Sequence, residues 1–128
     1  QSDDLTEVPS LIIIDEYQFL LMSEKCVNVL EDIARKGRSV GMSLMLISQD
    51  VPTDTAFSRI KQLLDHRFAF NGTSENVDRL ISGMGKRVNE LELQKGLCFY
   101  QVSNGNVVTM RSAFAGDDLD LYKNIVNI

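Results

Sequence analysis

The chain has no tryptophan, one histidine, two prolines and two cysteines in 128 residues. Cys26 and Cys98 stand far apart without metal-type spacing, so they read as reduced cytosolic thiols, each on an apolar face. His66 has no partner in a recognisable motif and reads as structural or incidental. No apolar run approaches the roughly 20 residues that cross a bilayer, and Gln1-Ser2-Asp3-Asp4 is not a signal peptide. The chain also lacks net positive charge. Thirteen basic against eighteen acidic residues leave −5, which argues against coating nucleic acid by bulk electrostatics while leaving room for a local basic patch. What remains, 44% hydrophobic and 24% charged, is the composition of an ordinary globular domain, or a piece of a larger one, with a real core.

The most informative stretch is Leu11-Ile12-Ile13-Ile14-Asp15-Glu16. A continuous apolar run of this length suits a strand buried on both faces, as in a parallel sheet. Asp15 and Glu16 then stand at its carboxyl end, where open α/β sheets place their ligand crevices. That is the form of a Walker B motif, in which one carboxylate holds a nucleotide's Mg²⁺ and its neighbour activates water. A core strand ending in two solvated acids has the same local form.

The rest of the chain narrows the choice. Tyr17 to Leu21 reads as a short turn, and Ser23-Glu24 as a helix start. Val27, Leu30, Ile33 and Ala34 then recur at helical spacing, and Gly37 and Gly41 bracket the exit. Met42 to Ser48 is a second apolar run, ending in Ser48-Gln49-Asp50 before Val51-Pro52 stops it. Strand, helix, strand is a βαβ unit with an expected right-handed crossover. Both strands would deliver polar tips to one sheet edge: Asp15-Glu16 from the first, Gln49 from the second.

Further on, Phe57, Ile60, Leu63 and Leu64 mark a shorter helix, and Arg67 to Asn71 alternates like a strand closed by Gly72. Ser74 reads as the N-cap of a helix over 75–82, with Val77, Leu80 and Ile81 inward. The segments 97–102 and 107–112 flank Asn104-Gly105, a strong hairpin signal. A terminal helix is expected over 117–126, with Leu119, Tyr122, Ile125 and Val126 on one face.

A Walker B strand calls for an upstream phosphate loop, G-x-x-x-x-G-K-[ST]. None is present. Gly83-Met84-Gly85-Lys86 fails the spacing, is followed by Arg87, and lies after a helix rather than between strand and helix. Ten residues before the strand are too few to hold the loop, so either the chain is a fragment of a longer ATPase or the strand is not a Walker B.

The order of these signals resembles the motor of the FtsK/SpoIIIE superfamily. The resemblance rests on Leu11 to Glu16, on Asp32-Ile33-Ala34-Arg35-Lys36-Gly37-Arg38-Ser39-Val40-Gly41, and on Leu44-Met45-Leu46-Ile47-Ser48-Gln49. Arg67-Phe68-Ala69-Phe70, Asp78-Arg79-Leu80-Ile81, Gly96 to Tyr100 and Ser112-Ala113-Phe114 extend it to nearly the whole chain, from about residue 8 to 120. One departure is Asp50-Val51-Pro52 after Gln49, where family members usually carry Arg-Pro or Lys-Pro.

The resemblance implies an α/β fold: a partial RecA-like P-loop NTPase domain, a mainly parallel sheet flanked by helices, with a C-terminal β-hairpin. Residues 1–128 would be the C-terminal portion of one ATPase domain. It implies ATP and Mg²⁺ as cofactors. Asp15 would position the metal directly or through water, Glu16 would orient and polarise the attacking water, and Gln49 would sense the γ-phosphate. Arg35 and Arg38 would reach a neighbouring subunit's γ-phosphate in a ring; a solvated basic helix end is the plain alternative. Lys86-Arg87 reads as a solvated turn, with nucleic-acid contact as its alternative.

The implied parent is a cytoplasmic hexameric translocase of double-stranded DNA, at the inner face of the cell membrane if anchored elsewhere in its chain. Two alternatives stand beside it. Gln101 to Asn106 and Ser112 to Gly116 also look like the motor of a type VII protein secretion ATPase. A non-catalytic interaction module that retains the fold would equally lack a phosphate loop. A half-sheet should also leave an apolar edge bare and promote self-association.

Overall fold

Among the described residues the strands form two sheets. The computed structural model describes residues 8–112. The first strand, β1 (Ser10–Asp15), is rich in β-branched residues and pairs in parallel with β2 (Met42–Ile47). Their register runs from Ser10 opposite Met42 to Asp15 opposite Ile47. Parallel strands need a long crossover. Here it consists of a 3-10 helix (Tyr17–Met22), helix α1 (Glu24–Lys36) and a second 3-10 turn (Gly37–Val40). Ser23 caps α1 by accepting from the Cys26 amide at 3.4 Å. At the other end a Cβ on Gly37 would lie 2.8 Å from the Met42 carbonyl oxygen, so only glycine lets α1 return this closely to β2. Gly41 takes the left-handed conformation, φ 69°, that starts β2.

Beyond β2, α2 (Thr55–Lys61) is capped by Asp54, whose carboxylate accepts from Phe57 N at 2.8 Å. The second sheet is antiparallel, ordered β3 (His66–Phe70), β4 (Leu97–Val102), β5 (Val108–Arg111). Helix α3 (Ser74–Leu80) and a 3-10 segment (Gly85–Leu93) lie between β3 and β4.

Two clusters form the core. Tyr17, Leu21, Val27, Leu30, Phe57 and Ile60 pack against Ile14, Leu44 and Leu46 on one face of the β1–β2 sheet. Burial and, to a lesser extent, the nearby Asp54 push the Tyr17 phenol up to about 12. Ala69, Val77, Ile81, Met84, Leu91 and Phe99 form the other cluster, on one face of the antiparallel sheet. Leu80 packs against both and joins them.

The expectation of a β1 buried on both faces is corrected. Leu11 and Ile13 are each 57% exposed, and their neighbours Met45 and Ile47 each 44%. The helices cover only the Ile12–Ile14 side, and no described element crosses the other. The α3 cap is corrected too: Thr73 accepts from Asn76 N at 3.2 Å, while the Ser74 hydroxyl donates to the Gly85 carbonyl at 2.9 Å. Either hydroxyl suits a cap, and the loop after α3 claims Ser74.

The hairpin forms, but its left-handed residue is Ser103 (φ 51°), not the Asn-Gly pair. Asp65 holds Ser103 there, its carbonyl accepting from Ser103 N at 2.6 Å and its carboxylate from Ser103 Oγ at 3.1 Å. The helix expected over 117–126 lies outside the described residues.

Candidate active-site carboxylates

Because β1 and β2 are parallel and in register, their carboxyl ends meet at one edge of the sheet. Asp15 closes β1 opposite Ile47, and Ser48 and Gln49 follow directly. The expected convergence of polar tips is what the topology delivers.

Asp15 is exposed, and its Oδ1 accepts from the Glu16 amide at 3.0 Å. Glu16 then leaves the strand in the left-handed region, φ 54° and ψ 43°. A side chain with a Cβ pays roughly 1–2 kcal/mol there. This turn ends β1 and starts the 3-10 helix, whose Phe19 amide donates to the Glu16 carbonyl at 3.3 Å. It also takes the half-buried Glu16 carboxylate out of strand alternation.

Gln18 Nε2 donates to Glu16 Oε2. Ser48 Oγ lies 2.5 Å from Gln18 Oε1 and 2.5 Å from the Asp50 carbonyl oxygen. The two strand ends are therefore linked by side chains as well as by the ladder. Sequence reasoning placed Ser48 at this edge but missed Gln18, which lay in a stretch read only as a turn.

Gln49 is exposed, and its carbonyl accepts from Asn76 Nδ2 at 3.3 Å. Asn76 also donates to Asp50 Oδ1 at 3.2 Å and accepts from Val51 N at 3.1 Å. The loop after β2 is thus fastened to α3, while the Gln49 side chain has no protein partner among the described residues.

A hard cation fits this edge. Asp15 Oδ2 accepts from no protein donor among the described residues, and no group of three or more His, Cys, Asp or Glu there could cage a metal. Mg²⁺ is typically held by one or two carboxylates, with waters and substrate phosphates completing its shell.

Arg35 and Arg38 lie elsewhere. They occupy the last turn of α1 and the 3-10 turn before β2, at the amino-terminal edge of the sheet. A six-residue strand separates that edge from Asp15, roughly 17 Å. Both arginines are exposed and stand away from the carboxylates of their own chain.

The glycine loop after α3 is occupied from within. Asp78 Oδ1 accepts from Gly83 N at 2.9 Å and Gly85 N at 3.2 Å. A carboxylate already takes the amides that a phosphate loop would offer to phosphate. Arg87 pairs with Glu90 at 2.7 Å and lies 5.4 Å from the Phe99 ring centroid. His66 Nδ1 is 2.8 Å from the Tyr100 hydroxyl, a structural role. Cys98 is fully buried, and desolvation pushes its thiol up; Cys26 is half-buried and free.

A cleft of about 310 Å³ between α2 and the hairpin is lined by Lys61, Arg67, Gln101 and Asn104, away from the carboxylates. Its cations serve the fold. Arg67 donates to the Ser103 carbonyl at 2.7 Å and the Lys61 carbonyl at 3.2 Å, and Lys61 to the Arg79 carbonyl.

The model of the AAA-like domain family matches residues 2–117. The DNA translocase FtsK of Haemophilus ducreyi is 31% identical over 111 residues, which are 84% of this chain and 11% of that protein. The cytoplasmic domain of the Thermomonospora curvata type VII secretion ATPase EccC superposes with a TM-score of 0.74 at 20% identity. That match covers 93% of this chain and 14% of the EccC chain. The chain thus spans a small part of the length of either relative. It belongs to the AAA-like domain family, with the fold and sequence signature of an FtsK/SpoIIIE-type P-loop ATPase.

Proposed function

We propose that this chain is the carboxylate-bearing, C-terminal half of an ATP-driven ring translocase whose cargo is double-stranded DNA. The observation that carries the reading is the shared edge of β1 and β2. There Asp15-Glu16 and Ser48-Gln49 converge in a family of nucleotide-driven motors. Likeness to a DNA translocase supports DNA as the cargo. The second reading, protein as cargo, is favoured by the Gln101–Asn106 turn and the Ser112–Gly116 segment.

In this reading Asp15 is the residue that would hold Mg²⁺, which when bound neutralises phosphate charge. Glu16 accepts a hydrogen bond from the attacking water and polarises it toward the γ-phosphate. Its Oε2 is engaged by Gln18, which leaves Oε1 for that water. Gln49, whose side chain has no partner among the described residues at the same edge, senses the γ-phosphate. Arg35 or Arg38 works on the next subunit of a hexamer, because each lies at the edge opposite its own carboxylates. An arginine so placed stabilises transition-state charge in trans.

In the same reading the working location is cytoplasmic, supported by likeness to the cytoplasmic domain of EccC. No helix among the described residues is long and apolar enough to cross a membrane.

The test is ATP turnover by a full-length protein carrying this segment, with and without double-stranded DNA. Stimulation by DNA is expected. Turnover indifferent to DNA but raised by an exported polypeptide would move the cargo to protein, and no turnover at all would leave a binding module.

A further inference from the structure

We infer that Gln18 is a positioning residue for the Glu16 carboxylate, and that Ser48, from the neighbouring strand, positions Gln18. The inference rests on reading Glu16 as the group that polarises water. An ionised carboxylate only accepts hydrogen bonds, so the Gln18 amide must turn its NH₂ toward Glu16 Oε2. That fixes Gln18 Oε1 toward Ser48, whose hydroxyl must then be the donor, at 2.5 Å. A flipped amide would turn its oxygen against the Glu16 carboxylate, so the orientation of the Gln18 amide follows from the chemistry alone.

Glu16 needs such support because it has left the strand. Its left-handed backbone frees the side chain from the sheet's alternation, and Gln18 is the side chain that then holds it. The relay also reaches further. The single Ser48 proton lies between two acceptors, Gln18 Oε1 and the Asp50 carbonyl. Asp50 and Gln49 are bound in turn by Asn76 on α3. Moving the tip of β2 would shift that proton from Gln18 to Asp50 and loosen the hold on Glu16. The orientation of the carboxylate is thereby tied to the strand that carries Gln49.

Two measurements test this. In this chain, the side-chain amide resonances of Gln18 should move in both Glu16→Ala and Ser48→Ala, although Ser48 is thirty positions away. Unmoved resonances in Ser48→Ala would show that the relay does not exist, whatever the protein's activity. In the full-length ATPase, Gln18→Leu should lower kcat roughly 10-fold to 100-fold, as loss of an orienting partner does, with nucleotide affinity changed less than about twofold. Gln18→Glu, which sets a second carboxylate against Glu16, should be at least as slow. The double variant Gln18→Leu/Ser48→Ala should be no slower than Gln18→Leu, since both residues act through one contact. Unchanged kcat in Gln18→Leu, or additive losses, would overturn the proposal. Glu16→Gln measured alongside separates the two ideas: if it keeps turnover, Glu16 is not the base and the underlying reading has failed.

Discussion

Arg59 on α2 grips Glu31 on α1 through two parallel hydrogen bonds, Nε to Oε1 at 3.0 Å and Nη2 to Oε2 at 2.7 Å. Arg59 Nη1 also reaches Glu24 at 3.0 Å. One guanidinium thus ties the first turn and the middle of the crossover helix to α2, on the outside of the cluster that backs the Asp15–Glu16 strand. The forked geometry suits arginine and not lysine.

This pair makes stability depend on pH. The Arg59 hydrogen bond, above all, holds the Glu31 carboxyl below its usual value of 4.5. A lowered folded-state value contributes stability that is complete above the unfolded value and is lost as pH falls through the folded one. Melting temperature should therefore fall below about pH 4.5 in the wild type and fall less steeply in Glu31→Gln. Parallel curves would assign the acid sensitivity to other groups.

Glu16→Gln in a full-length parent should keep nucleotide binding and lose hydrolysis by about 10²-fold or more, the usual contribution of a positioned base. Calorimetric nucleotide titration and phosphate release, run on the same preparation, separate the two effects. Retained turnover would remove Glu16 from the role of base.

The isolated chain should bind Mg-ATP very weakly. Its sequence holds no G-x-x-x-x-G-K-[ST] loop, and the Gly83 and Gly85 amides of the glycine loop after α3 already go to Asp78. Micromolar binding by calorimetry would mean that the chain holds a complete nucleotide site and is not half of a motor.

Leu11, Ile13, Met45 and Ile47 form a bare apolar face, and the isolated chain should associate through it. Sedimentation should show a concentration-dependent rise in mass that Ile13→Lys/Met45→Glu abolishes. Because these side chains are already exposed, the double substitution should change stability by no more than about 0.5 kcal/mol per site. A monomer at all concentrations would dismiss the idea.

Gly85→Ala should cost about 1–3 kcal/mol, the usual range for overpacking. A Cβ there would sit 2.9 Å from the Asp78 Cβ and against the Ser74 carbonyl and hydroxyl, and the Asp78 carboxylate and the Ser74 hydroxyl are already bonded to the loop. Thermal melts of the single variant would show it; an unchanged melt would mean that the loop can open at little cost.

The elements that sequence predicted well are those specified locally. Ile12 to Ile14 next to Asp15, the Ser23 cap, the helical spacing of Val27 and Leu30 and the turn between 102 and 108 each act over a few residues. The misses share another cause. Whether Thr73 or Ser74 caps α3 depended on Gly85 needing a donor eleven positions away, and the conformation of Ser103 depended on Asp65.

Sequence by itself determined the chemistry at the sheet edge: two parallel strands with polar tips, ending in Asp15-Glu16 and Ser48-Gln49. A parallel pair with a helical crossover has no other way to place its carboxyl ends. Only the tertiary structure decided three things. Glu16 turns left-handed into the reach of Gln18, and Gln18 is held by Ser48 from the other strand. Arg35 and Arg38 sit at the sheet edge opposite Asp15 and Glu16. One face of β1 and β2, with Leu11, Ile13, Met45 and Ile47, is left uncovered by the other described elements. Local patterning states which side chains a segment offers. What they meet depends on which segments the fold brings alongside.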